Sequence, residues 1–265
     1  MPSDDDGGAL RGLEQLARVA VTAMVSDYVR IYHRHDLTVD APLPDEPALI
    51  VANHGFGGVF DLNVLALVRT LAELGIDEST TYLVHDLAWT LGAGPIIERL
   101  GGAPGSAEAV RDAFAARRHV AVFPGGDVEA GKPTSERNRI KLDGREGFAR
   151  AAMEHDVPIV PVVTAGAGES LLVLSDGAGL ARALDLPRLL RLKTLPVSVS
   201  LPWGLNVGVV GLAPYLPLPT KLATAVLPPM RSRDQETPSA FAARVAAAMQ
   251  HRLDELVRRR RPLIG

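Results

Sequence analysis

Three apolar runs constrain what this chain can fold into. "ALIVA" (48–52), "HVAV" (119–122) and "VPIVPVV" (157–163) lack the polar alternation of a strand with one wet face, so each is expected to be buried on both sides. Segments with apolar residues at helical spacing lie between them: "DLNVLALVRTLAEL", "SAEAVRDAFAAR", "DGREGFARAAME" and a final "TPSAFAARVAAAMQHRLDELVRRR". Buried strands alternating with amphipathic helices imply an α/β fold, a mostly parallel central sheet flanked by helices, in a single domain. Residues 1–8 are expected to be a disordered tail, 9–34 an amphipathic helix, and 35–265 the main domain. "TTYLVH" reads as a further strand. Asp61 and Ser106 are the expected N-caps of their helices. Asp143 with Glu146 three residues on reads as a capping box, and the prolines of "VPIVPVV" suggest strand ends or an edge.

Composition narrows the function. A formal net charge of −3 argues against a nucleic-acid partner. The absence of cysteine removes disulfides, thiolate metal sites and a thiol nucleophile, and fits a reducing compartment. "MPSDDDGG" lacks the basic-then-apolar order of a secretory signal. The uncharged run 194–220 has the length of a membrane span, but its prolines and glycines would leave backbone groups unsatisfied in lipid. Short strands and apolar loops are expected there, touching a membrane from one side. Together with the N-terminal helix and the four arginines at 258–261, this run predicts a peripheral membrane protein, cytoplasmic in location.

Two junctions carry the candidate chemistry, because functional groups of such sheets collect where strands end and helices begin. "NHGFGGVFD" follows the first buried strand and "FPGGDVEAGK" the second. His54 can accept a proton near neutrality, and Asp61 can hold one of its ring nitrogens, with Gly55, Gly57 and Gly58 letting the loop fold back. Alternatively, Asp61 only caps the next helix. "HGFGG" has the look of an esterase oxyanion loop, yet no G-x-S-x-G elbow follows. Residues 126–133 have the look of a phosphate-binding P-loop, but Pro133 stands where a hydroxyl should hold magnesium. His54, Asp61, His85 and Asp86 could be combined into a metal site, but no H-x-x-x-H spacing supports one, and none is expected. Arg137, Arg139, Lys141 and Arg145 stand before and within a helix start, where a bound anion would explain them; a solvated basic loop is the alternative.

Asn53-His54 with Asp61, "FPGG" at 123–126, "GREGFARAAMEHD" and "VPIVPV" at 157–162 together resemble the glycerolipid and lysophospholipid acyltransferase superfamily over roughly residues 35–230. The common superfamily form is His-x4-Asp. Here six residues separate His54 from Asp61, which is similar to the branch nearest mono- and diacylglycerol acyltransferases.

The resemblance implies transfer of a fatty acyl group from an acyl thioester, acyl-CoA as co-substrate, to a hydroxyl of a lipid or long-chain acceptor. His54 would be the general base and Asp61 its orienter. Asn53, Gly57, Gly58, Phe123, Pro124, Gly125, Gly126, Glu129, Lys141 and Arg145 would line the substrates, with no metal or organic cofactor. A non-catalytic lipid-binding protein of the same fold and an esterase are the alternatives. Family members that act on glycerol phosphates carry arginines where this chain reads "GGAPGS" and "FPGGDVEAGK". Asp127 and Glu129 should repel a phosphate there, so a neutral acceptor is expected.

Overall fold

The computed structural model describes residues 4–56, 61–85, 87–90, 92–190, 192–208 and 215–264. The first half runs α1 (Asp4–Ile31), β1 (Asp36–Val39), β2 (Leu49–Ala52), α2 (Leu62–Glu73), β3 (Thr80–Val84), α3 (Leu87–Thr90), α4 (Gly94–Arg99), β4 (Gly102–Pro104), α5 (Ala107–Ala115) and β5 (His119–Val122). After β5 come α6 (Gly126–Ala130), α7 (Gly147–Glu154), β6 (Ile159–Ala165), β7 (Leu172–Ser175), α8 (Ala178–Ala183) and α9 (Leu186–Leu189). The chain closes with β8 (Val197–Ser200), β9 (Gly204–Val207), β10 (Ala223–Val226) and α10 (Pro238–Arg258).

Seven strands form one sheet in the order β1-β10-β6-β2-β5-β3-β4. The run from β6 to β4 is parallel, and β10 is antiparallel to β6, so the sheet is mostly parallel, as the alternation of strands and helices implied. The pleat splits β2 between two cores. Leu49 and Val51 face α7 and α10, against Phe148, Phe241, Val245 and Met249, while Ile50 and Ala52 face Leu67 and Leu71 of α2. α1 lies on α2 through Val25, Tyr28 and Val29. Each large side chain buried this way stabilises the fold by roughly 1.5–3 kcal/mol before entropy is counted. Strands β7, β8 and β9 make a second, antiparallel sheet.

Several expectations change. α1 begins at Asp4, so helix replaces most of the expected tail. Asp143 is not an N-cap. Asp143 and Gly144 have φ of 53° and 68°, and Arg145 N donates to Leu142 O, which makes a mirror-image tight turn suited to Asp-Gly. α7 therefore starts later, at Gly147, and no side chain caps it. Nor is β6 at an edge: it lies between β10 and β2 with all seven residues buried. Pro161 is tolerated because its missing N–H falls on the same side as its carbonyl, which accepts from Leu227 N, where β10 has already ended. Among the described residues, no helix is long and apolar enough to cross a membrane.

Candidate active site

β2, β5 and β6 run parallel, so the segments that follow them share one edge of the sheet. His54 stands two residues past β2, and Asp61 is the N-cap of α2. His54 Nδ1 lies 2.6 Å from Asp61 Oδ2. Asp61 Oδ1 meanwhile accepts from Asn63 N at 2.9 Å and Gly55 N at 3.2 Å. The two readings of Asp61 therefore hold together: one carboxylate oxygen caps the helix and fixes the loop, and the other holds the imidazole. Against a carboxylate, Nδ1 carries the ring proton, which leaves Nε2 unprotonated in the neutral ring. Nε2 has no partner among the described residues, and the His54 side chain keeps 18% of its surface exposed.

The His54 peptide is clamped on both sides. Glu129 Oε2 accepts its N–H at 3.0 Å, and Lys132 Nζ donates to its carbonyl at 3.1 Å. Glu129 is fully buried, receives Lys141 N on Oε1 at 3.2 Å, and stands 3.6 Å from Lys132 Nζ. Burial lowers the Lys132 pKa from its ordinary value, and the Glu129 charge opposes that shift. Gly125 makes this possible: a Cβ there would come within 2.3 Å of Glu129 Oε2. The Phe123 ring lies 4.7 Å from the His54 ring.

Several expected substrate residues prove to be parts of the frame. Buried Asn53 accepts from Thr164 N at 2.8 Å, donates to Thr164 O at 3.2 Å, and so ties the end of β2 to β6. Glu129 cannot line a substrate, because it has no exposed surface. Lys141 pairs with Glu136, and Arg145 pairs with Asp127 at 2.9 Å while donating to Pro124 O at 3.2 Å. The basic run therefore does not gather at a helix start: α7 begins after it, and Arg137 turns back to Thr134 O. The expected repulsion at Asp127 and Glu129 is also removed, since Arg145 and Lys132 neutralise them. Gly126 donates its amide to Phe123 O within the turn, whereas the Gly125 amide has no partner among the described residues. Pro124 is buried in that turn. Gly57 and Gly58 lie outside the described residues, as does Asp86. Among the described residues no three His, Asp or Glu side chains gather in a metal-binding group.

Lys132, Asn63 and Thr164 were missed by sequence reasoning. Asn63 Nδ2 donates to Asn53 O at 2.7 Å, completing the tie between the two arms of the loop. The signal for Lys132 was its i,i+3 spacing from Glu129. A small cleft beside the clamp is lined by Gly55, Phe56, Lys132, Thr134, Leu171 and Val173. A separate cavity of about 230 Å³, lined by Gln15, Arg18, Glu78 and Arg99, holds none of these groups.

The model of the Acyltransferase family matches residues 29–165, which include His54, Asp61, the "FPGG" turn and the end of β6. The chain belongs to the Acyltransferase family. Its fold is also that of the 1-acyl-sn-glycerophosphate acyltransferase PlsC of Thermotoga maritima, with a TM-score of 0.50 at 15% identity over 91% of this chain and 82% of that one. An uncharacterized protein of Mycobacterium tuberculosis is 32% identical over 195 residues, 72% of this chain and 50% of its own. A Gallus gallus protein named as a DGAT1/2-independent enzyme synthesizing storage lipids is 31% identical over 145 residues, 55% of this chain and 42% of its own. The chain thus spans about half the length of these two relatives. Acyl transfer is the reaction for which that family is named.

Proposed function

We propose that the chain transfers a fatty acyl group from acyl-CoA to the hydroxyl of a neutral lipid or long-chain alcohol, with His54 as general base. The observation that carries this reading is the 2.6 Å contact of His54 Nδ1 with Asp61. With Nδ1 held, Nε2 takes the acceptor's hydroxyl proton as its oxygen attacks the thioester carbonyl. The tetrahedral oxyanion is stabilised by the Gly125 amide. Collapse breaks the carbon–sulfur bond, and the departing thiolate takes the proton back from Nε2, giving an ester and free coenzyme A. The clamp of Glu129 and Lys132 keeps the base in place during both transfers.

A neutral acceptor is favoured because Lys132, Lys141 and Arg145 are each matched by a carboxylate. The reaction is placed at the cytoplasmic surface of a membrane, where a water-insoluble acceptor resides; the cysteine-free sequence suits that compartment. The test offers long-chain acyl-CoA with diacylglycerol, a long-chain alcohol and lysophosphatidic acid in competition, and follows ester and free thiol together. Ester on a neutral acceptor with matching thiol release is expected. Thiol release without ester overturns acyl transfer, and a strong preference for lysophosphatidic acid overturns the neutral acceptor.

A further inference from the structure

The second sheet is patterned inside out. Across its three strands Leu172 pairs with Val199 and Val199 with Leu205, and at one end Val197 pairs with Val207. These side chains lie on the outer face, where Leu172 is 48% and Leu205 67% exposed. The inner face of β8 instead carries Ser198 and Ser200, at 1% and 4% exposure, and Ser198 Oγ has no partner among the described residues. A water-facing sheet would place these residues the other way round. Leu174, Leu201 and the hairpin residue Trp203 extend the same apolar surface.

Charge and position say what covers it. The excursion from β7 to β8 is closed at its neck by Leu195 N donating to Asp176 O, so its helices α8 and α9 begin at the edge of this sheet. They expose Leu180, Leu184 and Leu189 together with Arg182 and Arg188. Apolar side chains interleaved with cations fit a lipid surface bearing negative headgroups. An exposed tryptophan beside them fits the headgroup level. Beneath the same sheet, buried Val173 packs with Leu171, Phe56 and Tyr215 next to Gly55, so the sheet rests on the segment that carries His54.

Competing surfaces are less suited. On α1 the exposed Leu16, Val19, Met24 and Ile31 are interrupted by the Asp27–Arg30 ion pair, and among the C-terminal arginines Arg260 is committed to Glu169 at 2.6 Å.

We propose that the outer face of β7–β9 docks on an anionic bilayer, with Trp203 at the headgroup level and Arg182 and Arg188 on lipid phosphates. This assigns a surface to the membrane association proposed above and rests on that reading for its purpose, but the binding itself requires no turnover.

The test is flotation of the full chain with vesicles of phosphatidylcholine alone and of phosphatidylcholine with phosphatidylglycerol, alongside quenching of tryptophan by brominated lipid. The wild type should float with the anionic vesicles. Leu172→Ser/Leu205→Ser should lower binding at least tenfold with an unchanged thermal transition, Arg182→Gln/Arg188→Gln should remove the preference for anionic lipid, and Trp203→Phe should remove most of the quenching. A His54→Ala variant that floats like wild type separates docking from catalysis: lost transfer in the wild type with intact flotation overturns the enzyme reading and leaves docking standing. Folded face variants that still float like wild type overturn the proposal. So does a dimer that the serine substitutions dissociate, since a second copy would then cover the face.

Discussion

The loop that carries His54 and the sheet β7–β9 handle polarity in opposite ways. Around His54, a buried carboxylate, a buried ammonium and two peptide groups satisfy one another within a few ångströms. In β8 Ser198 and Ser200 point inward, Ser198 without a partner among the described residues, while Leu172, Val199 and Leu205 point out. In the first region the polar groups are matched internally; the second leaves its apolar surface exposed. Burial of charge thus marks where the molecule fixes a geometry, and exposure of apolar area marks where it meets its surroundings.

The contrast can be broken most severely at the clamp. Glu129→Ala leaves Lys132 buried without its counter-charge and the His54 amide without its acceptor, so a stability loss of about 3–5 kcal/mol is expected by chemical denaturation. Replacing both Glu129 and Lys132 by apolar residues should cost less than the single change; equal or greater loss would show that the pair is not coupled.

A second buried polar group sharpens the same point through pH. His35 accepts Arg69 Nε on one ring nitrogen and meets Thr224 on the other. Burial, helped by the Arg69 charge, pushes its pKa down to about 4. The unfolded chain takes up this proton near 6.5 and the folded chain does not, so stability is complete above that pH and falls as pH drops toward 4. About 3 kcal/mol should be lost over the window, and His35→Gln should flatten it in pH-dependent urea unfolding.

Asp61→Asn should lower transfer by about 10² or more while changing stability little. An asparagine still caps α2, but its amide can donate to Nδ1 and drive the ring proton to Nε2, where a base must be free. Near-normal turnover in that variant would remove Asp61 from the orienting role. The smallest effect is expected on the outer sheet. Leu205→Ser should move stability by no more than about 0.5 kcal/mol, since an exposed side chain there supports no core.

Much of the fold was legible because the buried strands are uninterrupted apolar runs: "ALIVA" and "HVAV" became β2 and β5 in the middle of the sheet. Asp61 was legible as a cap from its place before a periodic segment. Asp143 was misread because Asp serves both caps and tight turns, and the following glycine decided for the turn. Glu129 and Lys132 were not legible as a clamp. Near neighbours in sequence, they act together only because β5 returns beside β2 and brings them to the His54 peptide. The short strands β4, β7 and β10 carry no long periodic signal; strand partners elsewhere in the chain hold them.

The measurement that bears most directly on the account is acyl transfer by wild type and His54→Ala, with acyl-CoA and a vesicle-borne neutral acceptor, at matched thermal stability. The account predicts ester formation by the wild type and a loss of more than about 10² in the variant, with vesicle binding retained. Equal rates in the two proteins would contradict it.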